Sequence, residues 1–320
     1  MVKKVSELIG ITGSHKFTGI GEYSNSINKI IPVYSIILNK HSKNREYIGT
    51  KLYTYYPPIT TGWALNSILT PIHLHLHSFH KAHYLEPFNP LSIKKGIVTI
   101  HDTYFLHRAI LNEKYLNIIN RLFHKWKIIS PSQNTKNELI KYLHYDNEQI
   151  TVIPNPVNPI FKITSQFNNE DKPIDLLTVG DGMHKHNKDI RYLANKLGLK
   201  HIHIGKDLYQ NNFINISNEE LYNFYKHSKV TIRFSDIEGF GYPAIQSIYS
   251  GTPIILSDIP TFREIMPNNY PLFIKSLSDF EEAYYKALNF KINFNESWYS
   301  KYSIDTFIKT MKDYYMVNEW

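Results

Sequence analysis

The chain has 320 residues, 42% of them hydrophobic and 14% aromatic, with a formal net charge of +8 and a pI near 9.2. This composition excludes a disordered or collagen-like chain, and no apolar run reaches the roughly 18–20 residues needed to cross a bilayer. The absence of cysteine excludes disulfides, thiolate nucleophiles and cysteine-bound metals.

Residues 1–7 carry two lysines and no apolar stretch of signal-peptide length, so a cytoplasmic protein is expected. From there short apolar runs alternate with longer amphipathic ones, the pattern of βα units around parallel sheets. In the first half, strands are predicted at 7–11, 33–38, 72–77, 96–100, 127–129 and 149–153, and helices at 22–29, 108–123 and 135–143. Thr18-Gly-Ile-Gly-Glu-Tyr23 follows the first strand, where Gly19 and Gly21 allow backbone to approach a ligand closely. The motif is not a full dinucleotide fingerprint, which disfavours a nicotinamide cofactor.

His73-Leu-His-Leu-His77 places three imidazoles on one face of a strand, a spacing that can chelate zinc. No acidic ligand stands near it, so a half-buried strand is the preferred reading, with His77 on the acceptor side and no metal. The basic clusters Lys94-Lys95 and His124-Lys-Trp-Lys127 read first as solvated surface, and contact with anionic lipid at a membrane periphery is their functional alternative. Nothing combines basic and aromatic residues as a nucleic-acid surface does, so no nucleic-acid partner is expected.

Three prolines within 154–159, followed by a stretch poor in regular-structure signals, mark a linker at 161–173. Domains are therefore placed at 1–160 and 174–300, with a last segment at 301–320. The second half restarts the alternation. Strands are expected at 175–179, 200–204, 229–234 and 253–256, and helices at 189–197, 218–227, 243–250, 280–289 and 304–315. The expected class is α/β, with two Rossmann-like domains.

The densest signal is Glu238-Gly-Phe-Gly-Tyr-Pro-Ala-Ile-Gln246, running on to Gly251-Thr-Pro-Ile-Ile-Leu-Ser-Asp258. Pro243 opens a helix and Gly251 ends it. The first turn of that helix, with Gly239, Phe240, Gly241, Tyr242 and Pro243, presents backbone N–H groups and positive dipole to an anion. Beside it, Glu238 can accept hydrogen bonds from sugar hydroxyls.

This run resembles the signature of retaining glycosyltransferases of family 4, in which two glutamates lie eight positions apart; here the second is Gln246. Other segments resemble the same family in the same order. Ile97-Val-Thr-Ile-His-Asp102 matches its strand ending in His-Asp, with His101 toward the donor sugar and Asp102 orienting the turn. Residues 128–139 and 150–157 match largely architectural segments, where Ser132 and Lys136 are secondary candidates for ligand contact. Leu176-Leu-Thr-Val-Gly180, leading to Lys185-His-Asn-Lys188, matches the place where the family keeps an arginine and a lysine for the donor diphosphate. Asp181 stands at the arginine position, so the charge must come from Lys185, Lys188 or Arg233.

The resemblance implies a GT-B fold with its active site in the interdomain cleft and a final helix crossing back to the first domain. It implies a metal-independent, cofactor-free transfer from a UDP-, GDP- or ADP-sugar to a hydroxyl of a glycan, lipid or protein, by a front-face mechanism. Glu238, His101, Lys185 and Lys188 would be catalytic. Gly19, Gly21, Arg233, the Gly239–Pro243 turn and Gln246 would bind the nucleotide sugar. A neutral Gln246 forfeits one charge-assisted bond to the ribose, about 1 kcal/mol, which weakens binding without abolishing turnover. The alternative, motivated by Asp181 and Gln246, is a catalytically silent GT-B module that binds sugar nucleotides.

Overall fold

The computed structural model describes residues 8–12, 18–38, 48–54, 81–85, 96–107, 124, 126–162, 172–205 and 213–319. The expected strand at 72–77 with its histidines, the expected helix at 108–123 and most of the expected linker lie outside these residues. Two units emerge, one formed by Met1–Pro156 with Ile304–Trp320, the other by Val157–Ser303.

In the first unit the chain runs β1 (Leu8–Thr12), α1 (Gly19–Ile27), β2 (Val33–Leu38), β3 (Thr50–Thr54), β4 (Lys81–Tyr84) and β5 (Ile97–Thr99). It continues through α2 (Tyr104–His107), β6 (Lys127–Ser130), α3 (Gln133–Leu143) and β7 (Ile150–Val152). The seven strands pair in the order β3-β2-β1-β4-β5-β6-β7, every described pair parallel. Ile97, Val98, Ile128 and Ile129 are fully buried, as expected of strands covered on both faces.

Helix α1 starts three residues before its predicted position. Thr18 is extended and its side chain accepts the Gly21 N–H at 2.9 Å, an N-cap that draws Gly19 and Gly21 into the first turn. These glycines therefore belong to a helix, and the Gly21 amide is already engaged. Ser132 caps α3 by accepting the Thr135 N–H at 3.1 Å, and Lys136 Nζ donates to the Asn147 and Ile150 carbonyls. Both serve architecture.

The second unit runs β8 (Ile174–Val179), α4 (Asn187–Lys196), β9 (His201–Ile204), α5 (Asn218–Lys226), β10 (Ser228–Arg233) and α6 (Tyr242–Tyr249). Then come β11 (Ile254–Ser257), α7 (Pro260–Ile265), β12 (Phe273–Ile274), α8 (Phe280–Leu288) and α9 (Glu296–Lys301). Its parallel sheet has the order β12-β11-β10-β8-β9. Leu176, Val230, Ile232, Ile245 and Ile255 fill the core between this sheet and its helices. The last helix, α10 (Ile304–Val317), lays Phe307, Met311, Tyr314 and Tyr315 into the core of the first unit.

Strand β4 escaped prediction because Lys81-Ala-His-Tyr reads as polar. His83 is nevertheless fully buried, and each ring nitrogen has a partner: Nδ1 with Tyr315 Oη and Nε2 with Thr99 Oγ1, both at 2.7 Å. A buried imidazole satisfied at both ends costs little to keep in its neutral form.

Burial is the chief cause that lowers His83 to about 3, with the charge of His101 adding to it, and that brings His101 and His201 to about 4, from an ordinary 6.5. The unfolded chain therefore binds more protons than the folded one between those values and pH 6.5. Stability that is complete above pH 6.5 is lost as the pH falls toward 4. The thermal midpoint should drop between pH 7 and 4.5, each histidine contributing up to about 1.4 kcal/mol per pH unit. A level midpoint across that window contradicts the buried neutral state.

Candidate functional site

Strands β8 and β10 lie side by side and parallel, so their carboxyl ends finish together, where open α/β sheets bind ligands. The loops that leave them are tied to each other. The Asp236 N–H donates to the His184 carbonyl at 3.0 Å, and His186 Nε2 pairs with Asp236 Oδ1 at 2.8 Å. Ser235 N–H donates to Ser257 Oγ at 3.0 Å, and that hydroxyl donates back to the Ser235 carbonyl at 2.7 Å. The turn after β10 is thus anchored on both sides.

On that turn Arg233 and Glu238 form a buried ion pair, with side chains 5% and 13% exposed. Arg233 Nε and Nη2 reach Glu238 Oε1 at 2.7 and 2.6 Å, and Ser235 Oγ donates to the same oxygen at 2.9 Å. All three bonds converge on Oε1; Oε2 takes no hydrogen bond among the described residues. Burial by itself would raise the carboxyl, but the charges of Arg233 and Lys185 and the bonds from Ser235 and Arg233 outweigh it and hold it below the usual carboxylate range. Glu238 is an ionised acceptor with one oxygen fixed and the other available.

Arg233 Nη1 donates to the Val179 carbonyl at 2.6 Å. It shares the space over Gly180 with Lys185: a methyl group built on that glycine would lie 3.5 Å from Nη1 and 3.4 Å from Lys185 Nζ. Gly180 has φ +87°, a conformation costly for other residues. Two positive charges therefore meet over one backbone position, beside the Glu238 carboxylate. The nearby His184 adds none near neutrality, because burial first, then Lys185 and Arg233, bring it to about 4 against the opposing pull of Glu238 and Asp236.

Helix α6 begins beside this cluster. Its N-cap is Gly241 at φ +85°, and a Cβ there would meet the Phe262 ring at 2.6 Å. Pro243 sits at the start of the helix, and among the described residues no side chain of its N-cap position caps the N-terminus. Such an end offers backbone N–H groups and dipole to an anion. Thr261 Oγ1 donates to the Glu238 carbonyl at 2.6 Å, and Phe240 packs edge to face on Tyr242 and Tyr302. Gln246 is buried, and Tyr225 Oη donates to its Oε1 at 3.4 Å.

The second unit therefore brings together Glu238, Arg233, Lys185 and the Gly239–Pro243 turn. Lys188 lies exposed on the first turn of α4, and Lys185 rather than Lys188 contributes to the lowered Glu238 carboxyl. Asp181 Oδ1 pairs with His203 Nε2 at 3.4 Å and lies over Gly205, just past the end of β9. In the first unit His101 Nε2 bonds the Leu85 carbonyl at 2.8 Å, and Asp102 Oδ1 accepts the Tyr104 N–H at 3.1 Å, which orients the turn. Among the described residues no group of three or more His, Asp or Glu could hold a metal ion. The sequence reading missed Ser235 and Thr261. Ser235, three residues before the carboxylate on the same turn, was the one legible in advance.

Residues 54–160 match the family model Glycosyltransferase Family 4, and residues 160–290 match Glycosyl transferases group 1. The chain is 24% identical over 297 residues to the O-antigen chain mannosyltransferase RfbU of Salmonella typhimurium, across 78% of this chain and 81% of that protein. A stretch of 96 residues, 30% of this chain and 11% of the other, is 36% identical to the serotype-specific mannosyltransferase WbdA of Escherichia coli. Among solved structures, Anabaena Alr3699/HepE in complex with UDP and glucose superposes with a TM-score of 0.69 and 12% identity, over 96% of this chain and 98% of that one.

Breaking the buried ion pair on one side should cost more than removing it. Arg233→Leu is expected to destabilise by about 3–5 kcal/mol in denaturant unfolding, because an ionised carboxylate stays behind without its partner. Arg233→Leu combined with Glu238→Gln should recover much of that loss. A single variant as stable as the parent would contradict the pairing.

Proposed function

This chain belongs to the glycosyltransferases of family 4 type, with a GT-B fold of two Rossmann-like units, and we propose that it moves a hexosyl group from a nucleoside-diphosphate sugar to a hydroxyl acceptor with retention and without a metal ion. Transfer of sugar from a nucleotide sugar is common ground for the family; the donor, the stereochemistry and the residue roles are this proposal. The observation that carries it is the Glu238 carboxylate, ionised, with Oε1 locked by Arg233 and Ser235 and Oε2 available, next to Lys185 and the start of α6.

A carboxylate that only accepts is suited to sugar hydroxyls, not to proton donation. Its fixed geometry lets it orient the ring without reorganising during reaction. Lys185 and the amides of the Gly239–Pro243 turn would stabilise charge on the leaving diphosphate. Arg233 is assigned to holding Glu238, since three of its contacts are spent within the protein. From the first unit, His101 would accept a sugar hydroxyl as a neutral imidazole.

In the front-face course, the bond from the anomeric carbon to the diphosphate oxygen breaks as the acceptor oxygen approaches on the same face. The acceptor proton passes to the departing diphosphate, so no enzymic nucleophile or base is consumed. Gln246 would contribute a neutral hydrogen bond at the ribose. The acceptor is a hydroxyl of a glycan, lipid or protein. Among the described residues no helix is long and apolar enough to cross a membrane, and any membrane contact in this proposal is peripheral.

A thermal-shift screen against UDP-, GDP- and ADP-sugars tests donor binding, with mannose donors first because two relatives are named mannosyltransferases. Glu238→Ala should lower kcat about 10²–10³-fold, as loss of an electrostatic positioning group does. Lys185→Ala should raise the donor KM about tenfold, whereas Lys188→Ala should change it less than about twofold. The parent, with Gln246, should turn over, and Gln246→Glu should alter donor affinity by no more than about tenfold. Turnover appearing only after Gln246→Glu would favour the silent binding module.

A further inference from the structure

Among the described residues, two contacts hold the His101 ring. Its Nε2 bonds the Leu85 carbonyl at 2.8 Å; a carbonyl only accepts, so the proton resides on Nε2 and Nδ1 is an acceptor. The Tyr23 ring meets the imidazole edge to face, with centroids 4.8 Å apart and planes at 80°. Tyr23 is fully buried and is itself fixed at both ends. Its hydroxyl bonds Thr99 Oγ1 at 2.9 Å, and its ring packs edge to face on Phe307 of α10 at 5.6 Å.

The chain continues inward. Thr99 Oγ1 bonds His83 Nε2, and His83 Nδ1 bonds Tyr315 Oη of α10, each at 2.7 Å. His83 is neutral and carries one proton, so one of Tyr315 and Thr99 donates to it and the other accepts. Every member is buried, and each hydrogen bond restricts the next.

We propose that Tyr23 is a positioning residue for His101, held in place by the buried chain Thr99–His83–Tyr315, so that α10 governs the orientation and tautomer of the histidine. This rests on the reading of His101 as a sugar-hydroxyl acceptor. It adds that residues at the far end of the chain, which touch no substrate, control that acceptor. Tyr23 lies in α1, two residues after Gly21 of the Gly-x-Gly motif.

The test uses the full chain with ¹⁵N-labelled imidazoles, whose long-range NMR spectra distinguish the two neutral tautomers and report the titration midpoint of each histidine. In Tyr23→Leu the His101 signals should move from a fixed Nε2–H form to a tautomer mixture, with the midpoint raised toward 6.5. With GDP-mannose as the donor probe, kcat should fall about tenfold while KM changes less than about twofold, the pattern of a misplaced group. Tyr23→Phe and Tyr315→Phe each remove one oxygen atom and keep the core filled, so they report in the same direction with smaller changes even if Tyr23→Leu fails to fold. His101 signals unmoved in all folded variants would overturn the positioning role. Signals that move while His101→Asn leaves kcat at the parent value would support positioning and overturn the sugar contact.

Discussion

The interaction on which the second unit's site depends is the pairing of Arg233 with a single oxygen of Glu238. Two guanidinium nitrogens and the Ser235 hydroxyl reach Oε1, while Nη1 is tied to the Val179 carbonyl. The carboxylate is thereby fixed to the ends of two adjacent strands at once. A buried charge so held cannot protonate readily or swing away, which an acceptor of hydroxyl hydrogen bonds requires. The same contacts keep the guanidinium from acting as a loose counter-ion for a ligand. In the proposed function that task falls to Lys185 and to the start of α6.

Near this pair, the acid beside Gly180 has a partner of its own. Asp181, in the position where the resemblance places an arginine, is turned toward His203 and the end of β9. His203 is itself held below its ordinary range, chiefly by burial, with Asp181 pulling the other way. Over the neighbouring Gly180, Lys185 and Arg233 meet. Glycines at 180 and 241 are needed where they stand: each takes a left-handed conformation, one beneath two cations and the other against Phe262.

The first unit uses polar groups differently. Tyr23, His83, Thr99 and Tyr315 are buried, and their bonds link α1, two central strands and α10. Such a network specifies one arrangement of the core, because any slip leaves a polar group unsatisfied. It also explains why a segment as polar as Lys81-Ala-His-Tyr84 can form a central strand.

The sequence by itself determined the fold class and the dominant motif. Alternating apolar and amphipathic runs set the parallel α/β pattern, and Glu238 to Asp258 announced a turn, a helix and a strand because glycine, proline and a carboxylate at those spacings have few other uses. Short elements were beyond it: β12 has two residues and α7 six, too few for a period to register. Only the tertiary structure decided which charges meet. Lys185 and Lys188 are indistinguishable along the chain, yet one reaches over Gly180 and the other lies exposed on a helix. The direction of Asp181, the sharing of Oε1 and the burial of His83 depend on strands that are distant in sequence and adjacent in the sheet. Local composition carries propensity and period, whereas the partner of a buried charge is set by what the fold places beside it.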